Sequence, residues 1–245
     1  DIDSETFNMS PTALAVKLEQ ASKSNTLPKV VIAVHMGGQS CDMQSIGPLA
    51  KQYGIKVIED ASHAIGGSYN SQRIGNCTHS EITIFSFHPV KIITSGEGGM
   101  ATTQDESLAH NMRMLRSHGI TRDESEFEFA NDGPWYYEQQ QLGLNYRLTD
   151  IAAALGLSQL QRIDSFIQQR NSIAARYDEA FRSTQVVVPH IDANCISAFH
   201  LYIARCDFEN LNITRVQLFQ KMKDLGILLN LHYIPIYRQP YFAKM

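Results

Sequence analysis

The sequence predicts an α/β fold, with a large domain on a mainly parallel sheet followed by a small α+β C-terminal domain. Three observations predict it. Val30 to Val34 form a continuous apolar run ended by Gly37 and Gly38, the pattern of a parallel strand buried on both faces. Strand-like and helix-like segments then alternate to about residue 117, as strand–helix–strand units do. Beyond Thr149 the pattern turns helical and then mixed, which suits a bridge into a second, smaller domain. The expected division is residues 1–160 for the large domain and 161–245 for the bridging helix and small domain.

The elements follow in order. Ser10-Pro11 starts a helix, with Pro11 preset for the first turn and Leu14, Leu18 and Ala21 at helical spacing behind it. After the Val30 strand come a helix around Met43 to Tyr53, a stop at Gly54, and a short strand from Lys56 to Glu59. Strands at Ile82 to Ser86 and Met100 to Thr103 and a helix from Glu106 to Ser117 continue the alternation less cleanly. Residues from His118 to Leu144 keep neither period over a length beyond the usual ~12 to 15-residue loop, so they read as a functional or partner-facing loop. From Thr149 to Phe181 one long helix is expected, carrying Ile163, Phe166, Ile167, Ala174, Tyr177 and Phe181 near one stripe. Past it lie a strand at Phe199 to Cys206, a helix capped by Thr214 and ended by Gly226, and a strand at Ile227 to Leu231.

Composition narrows the function. At 245 residues and 43% apolar the chain can bury a substantial core. A net charge of −4 gives no overall attraction for nucleic acid or an anionic membrane, so any phosphate must be held by local groups. No apolar run approaches the ~20 residues that span a bilayer, and no signal peptide opens the chain, so the cytoplasm is the expected location. Cys41, Cys77, Cys195 and Cys206 are widely spaced and read as reduced, mostly structural thiols. Cys77 and His79 are the one local pair that could be half a metal site, and no metal is expected.

Asp60 sits where the Lys56 strand runs out, and Ser86 and Lys91 follow the end of the Ile82 strand. Ligands of open α/β sheets bind at such carboxyl ends. Alone, Asp60 reads as a helix cap and Lys91 as a surface lysine; two converging strand ends give them weight. The glycines at 96, 98 and 99 lack a directly following helix, so they read as backbone turns and not as a phosphate loop.

Ile58-Glu59-Asp60-Ala61-Ser62-His63-Ala64, Phe85-Ser86-Phe87-His88-Pro89-Val90-Lys91 and Gly96-Glu97-Gly98-Gly99 resemble, in order and spacing, the DegT/DnrJ/EryC1/StrS family of sugar aminotransferases. Asn145-Tyr146-Arg147-Leu148-Thr149-Asp150 is similar to its asparagine-tyrosine-arginine block, and His232-Tyr233-Ile234-Pro235 to its substrate-side motif. Gly133 to Gln140 and His232 to Tyr237 most resemble the branch of 4-aminotransferases in pseudaminic acid biosynthesis. The resemblance implies the fold type I architecture of the aminotransferases that use pyridoxal 5'-phosphate.

It also implies roles. Lys91 is expected to carry the cofactor and then act as general base and acid, since its amine condenses with the pyridoxal aldehyde. Asp60 is expected to keep the pyridine nitrogen protonated. His63 matches a position that packs on the cofactor ring, though by itself it reads as an ordinary buried histidine. Ser86 matches a hydroxyl that binds the cofactor phosphate, and His88 stays open between a turn residue and a partner behind the site. Asn145 is expected to reach the neighbouring subunit's cofactor phosphate, with Arg147 in support, giving a homodimer with composite active sites. His232 and Tyr233 are the candidates for the sugar pocket.

The implied reaction moves an amino group from L-glutamate to C4 of a UDP-linked 4-keto-6-deoxy-N-acetylamino sugar. The alternatives are a 3-aminotransferase of the same family, or a non-catalytic or regulatory protein on the same fold; Lys91 argues against the latter and against the related dehydratases, which carry histidine there. Relative to the family, the chain is expected to be truncated at both ends. It lacks the N-terminal Gly-Thr or Ser-Gly-Thr loop for the cofactor phosphate and the segment that completes the small domain.

Overall fold

A computed structural model describes residues 1–244. Helix α1 (Pro11–Lys23) starts at Ser10, whose hydroxyl accepts the Ala13 N–H, with Pro11 in the first turn. Strand β1 (Val30–Val34) leads through a 3₁₀ turn at Met36–Gly38 to α2 (Met43–Gln52), capped by Asp42. Strand β2 (Lys56–Asp60) follows, then the short strands β3 (Ser68–Tyr69) and β4 (Gln72–Arg73). Next come β5 (Ile82–Ser86), β6 (Gly99–Thr102) and α3 (Glu106–Arg116), the helix capped by Asp105. Strands β7 (Ile120–Thr121) and β8 (Glu138–Gln139) bracket the long loop. Helices α4 (Asp150–Leu160) and α5 (Ile163–Phe181) precede β9 (Val186–Val187), β10 (Cys195–Ile196), β11 (Arg205–Cys206) and α6 (Arg215–Asp224).

The main sheet has the order β1-β2-β5-β6. β1, β2 and β5 are parallel, and β6 returns antiparallel to β5 with Ser86 opposite Gly99. The parallel register sets Val34, Asp60 and Ile84 side by side, so one row of the sheet ends at Asp60. α1 and α2 pack Leu18, Met43, Ile46 and Ala50 on Val31, Ala33 and Val57. Fully burying a side chain such as Ile46 contributes about 1.5–3 kcal/mol.

Only that face of β1 is clad. Val30, Ile32 and Val34 alternate outward, and Ile32 is 54% exposed. Burial on both faces was the expectation for this strand; among the described residues, helices cover one face. A second core joins Phe87, Ile92 and Ile93 to Ile167 of α5 and to Ala198.

The chain falls into two compact units: Asp1–Ala180 with Val188–Ile203, and Phe181–Val187 with Ala204–Met245. Helix α5 thus goes with the first unit, not with the expected 161–245 division, because Ile167 and Ala174 are buried in it. The helix expected from Thr149 to Phe181 is broken at Gln161 and Arg162. α5 restarts where Ile163 lies over Gly66, at which a Cβ would stand 2.7 Å from Ile163 Cγ1.

In the second unit, β9 and β11 pair antiparallel. α6 has a capping box between Thr214 and Gln217, and Gly226 follows it with φ +77°. The strand expected over Phe199 to Cys206 is reduced to Arg205–Cys206, and residues 227–231 are not a strand. Apolar runs of this length do not separate strand from extended coil. Among the described residues, no helix is long and apolar enough to cross a membrane.

Candidate active site

The parallel strands β2 and β5 bring Asp60 and Ser86 to neighbouring carboxyl ends of one sheet. Asp60 is fixed on both sides of its peptide: its carbonyl accepts the His35 N–H at 3.0 Å, and Ala61 N–H donates to Ile84 O at 2.9 Å. Its Oδ1 accepts the Ser62 N–H at 3.0 Å. Ser86 Oγ accepts the His88 N–H at 3.5 Å.

Lys91 stands in a loop clasped at its neck. Phe87 N–H donates to Gly98 O at 2.8 Å, while Ser95 N–H and Thr94 Oγ1 donate back to Phe87 O at 3.0 and 2.8 Å. The neighbours Ile92 and Ile93 are buried in the second core, which anchors the loop and leaves Lys91 half-buried. Burial pulls the Lys91 ammonium below its ordinary value, and the charge of Asp60 opposes that pull. Lys91 and Asp60 therefore feel each other across the strand ends.

His63 lies on the turn after β2 and is buried, with Nδ1 accepting the Gly37 N–H at 3.4 Å. A backbone donor at Nδ1 leaves the ring proton on Nε2. The His200 ring lies against it, with centroids 4.4 Å apart. Gly38 makes this possible, because a Cβ there would stand 2.6 Å from the Phe199 nitrogen. An open groove of about 560 Å3 runs along α5 beside these residues, lined by Ile92, Arg170, Tyr177, Phe199 and His200.

Asp60, His63, Ser86 and Lys91 thus gather in the first unit. Asn145 lies elsewhere in that unit, bridged to Ser117 and exposed, next to Tyr146, which is also exposed. His232 and Tyr233 belong to the second unit, where their rings stack at 3.6 Å. His88 is exposed, with Nε2 3.7 Å from Glu97 Oε1. Cys77 is buried, its sulfur 3.3 Å from Thr83 Oγ1 and 3.3 Å from Thr102 O, so it ties the loop before β5 to β6. Sequence reasoning missed His200, His35 and Glu59. His200 gave no local signal, and Glu59 was visible only as the residue before Asp60.

The donor set fits pyridoxal phosphate on chemical grounds. An amine whose ammonium form is disfavoured by burial lies within electrostatic reach of a carboxylate, and a hydroxyl and an imidazole lie at or just past the ends of the same two strands. This is the set needed to hold an aldehyde, a basic ring nitrogen and a phosphate.

A model of the DegT/DnrJ/EryC1/StrS aminotransferase family matches residues 1–245. The chain is 39% identical over 246 residues to the spore coat polysaccharide biosynthesis protein SpsC of Bacillus subtilis, covering 100% of this chain and 61% of that protein. It is 34% identical over 224 residues to the UDP-4-amino-4,6-dideoxy-N-acetyl-beta-L-altrosamine transaminase of Campylobacter jejuni, covering 91% of this chain and 56% of that one. Among solved structures, Helicobacter pylori PseC, an aminotransferase involved in the biosynthesis of pseudoaminic acid, matches with a TM-score of 0.86 at 28% identity, over 98% of this chain and 60% of that one. The chain therefore spans about three fifths of the length of these relatives.

Proposed function

Because the chain belongs to the DegT/DnrJ/EryC1/StrS aminotransferase family, we propose that it is the greater part of a sugar aminotransferase that uses pyridoxal 5'-phosphate. The substrates proposed are L-glutamate as amino donor and a UDP-linked 4-keto-6-deoxy-N-acetylamino sugar aminated at C4. The observation that carries this reading is Lys91, half-buried and within electrostatic reach of Asp60. The similarity to the Campylobacter transaminase and to PseC supports the choice of sugar.

When bound, pyridoxal phosphate supplies an aldehyde that links to amines and a ring that accepts electrons from the substrate carbon. Lys91 would be the residue that holds the cofactor, through its Nζ. Burial favours its neutral, nucleophilic form. The freed Lys91 amine would be the group that holds and moves the proton of the donor's α-carbon. Asp60 would hold the proton on the ring nitrogen. His63, whose Nδ1 accepts the Gly37 N–H, would pack against the ring. The Ser86 hydroxyl would hold the phosphate.

Asn145, with Arg147 behind it, contributes to the partner's site in a homodimer, and His232 and Tyr233 orient the sugar. Helix α4 supports the dimer: Ile151, Leu155, Leu157 and Leu160 are exposed on it, and none of its residues is buried. The four free thiols suit a reducing compartment, and the cytoplasm is the proposed location.

The test is the absorption spectrum of the full-length protein with pyridoxal phosphate. A visible to near-ultraviolet band that shifts on adding L-glutamate is expected. Lys91→Ala is expected to lose both that band and the borohydride-trapped covalent adduct. A Lys91→Ala protein that still traps cofactor at one defined lysine would sink the assignment.

A further inference from the structure

Behind Asp60 lies a buried polar cluster that the proposed chemistry does not use. Successive strand residues face opposite sides, so Glu59 points away from the Asp60 face, and it is only 5% exposed. His35, 0% exposed, holds it: Nε2 lies 2.7 Å from Glu59 Oε2. The Cys41 N–H donates to His35 Nδ1 at 3.0 Å. That nitrogen is thus an acceptor, and the one ring proton sits on Nε2 and is donated to Glu59. The Ser80 and Thr83 hydroxyls donate to the other carboxylate oxygen. The pair therefore carries one net negative charge in the interior.

Burial alone would raise the Glu59 carboxyl, but the hydrogen bond and electrostatic effect of His35 and the hydrogen bonds from Ser80 and Thr83 outweigh it and hold it below the ordinary glutamate value. Other titratable groups face this carboxylate. The Cys41 thiol is pushed up to about 12, chiefly by burial and in part by the charge of Glu59. Arg73 and His79 line the small polar pocket of about 100 Å3 that reaches Glu59.

A buried carboxylate costs stability unless it is hydrogen-bonded, and here three side chains donate to it. Glu59 and Asp60 are successive, and the His35 that donates to Glu59 from its ring also donates its backbone N–H to the Asp60 carbonyl at 3.0 Å.

We propose that Glu59 is a positioning residue whose buried, hydrogen-bonded negative charge stands behind Asp60 and strengthens the hold of the Asp60 carboxylate on a protonated pyridine nitrogen. The proposal rests on the assignment of Asp60 to that nitrogen. A second fixed negative charge one residue along the strand, though on its other face, would raise the proton affinity of the nitrogen, because it favours the charged form. It sits on the opposite face of the strand from Asp60, so it would act without taking Asp60's place at the nitrogen.

The test uses the full-length protein loaded with pyridoxal phosphate isotopically labelled at the ring nitrogen, whose NMR resonance reports protonation directly. Asp60→Asn gives the reference for a ring that has lost its carboxylate. Glu59→Gln keeps size and removes charge, and is expected to move the resonance from the wild-type position toward that reference. Ser80→Ala removes a hydrogen bond but not the charge, and is expected to leave the resonance at the wild-type position. If Glu59→Gln does not accumulate as folded protein, the double variant His35→Leu/Glu59→Met replaces the whole pair by apolar side chains and is expected to move the resonance the same way. A wild-type resonance in the charge-removing variant, with Asp60→Asn displaced, overturns the proposal. A wild-type resonance in Asp60→Asn removes the Asp60 assignment itself, and the proposal with it.

Discussion

At the scale of single residues, Lys91 and Asp60 work against each other. Burial favours the neutral amine of Lys91, and the Asp60 charge favours its ammonium. Asp60→Ala removes the opposing charge, so covalent attachment of the cofactor is expected to survive. The ring loses its partner, and the first half-reaction with L-glutamate is expected to slow on the order of 100-fold, about 2.7 kcal/mol of barrier. Single-turnover kinetics decide this; a wild-type half-reaction rate in Asp60→Ala would reject the role.

Asp60, Ser86 and Lys91 are candidates that the sequence can offer because each sits at or just past a strand end, which sequence pattern locates well. His35 and Glu59 are not, because their contact joins residues 24 positions apart through parallel pairing of β1 and β2, and no local spacing encodes it. The contact of His200 with His63 is longer in range still and depends on the close approach at Gly38.

At the scale of elements, the capped helices α1, α3 and α6 and the strands β1, β2 and β5 were readable from Ser10, Thr214, Gly54 and the apolar runs, since these signals act within a few residues. The break between α4 and α5 was not, because it follows from what each half packs on. α5 buries Ile167 and Ala174, whereas α4 buries nothing. The long loop looked featureless because its contacts are irregular side-chain ones that no period encodes, and Glu138 is a buried group among them. It accepts from the Glu128 and Phe129 N–H groups at 2.7 and 2.8 Å and from the Tyr136 hydroxyl at 2.9 Å.

Helix α4 carries its own prediction. Ile151 is 86% exposed, so a charged residue there should change the stability of a lone chain by no more than about 0.5 kcal/mol. If a partner subunit covers α4, Ile151→Glu in the full-length protein shifts the dimer toward monomer. Light scattering checks it, and an undisturbed dimer counts against α4 as the interface.

At the scale of the whole molecule, the border between the two compact units differs from the division expected at residue 160. Composition and periodicity mark where helices lie, but which core a helix joins is set by contacts such as those of Ile167 with Phe87 and Ala198. The one-sided sheet has a calorimetric consequence. A conventional protein of this length would raise its heat capacity on unfolding by about 3 to 4 kcal/mol/K, at roughly 12–15 cal/mol/K per residue, mostly by wetting apolar surface that folding had kept dry. In these residues Val30, Ile32 and Val34 of β1 and Ile151, Leu155, Leu157 and Leu160 of α4 are already partly wet in the native state. Scanning calorimetry of the 245-residue polypeptide alone is expected to give an increment below that range, with a correspondingly shallow slope against denaturant. Its stability curve against temperature would then be broad and flat.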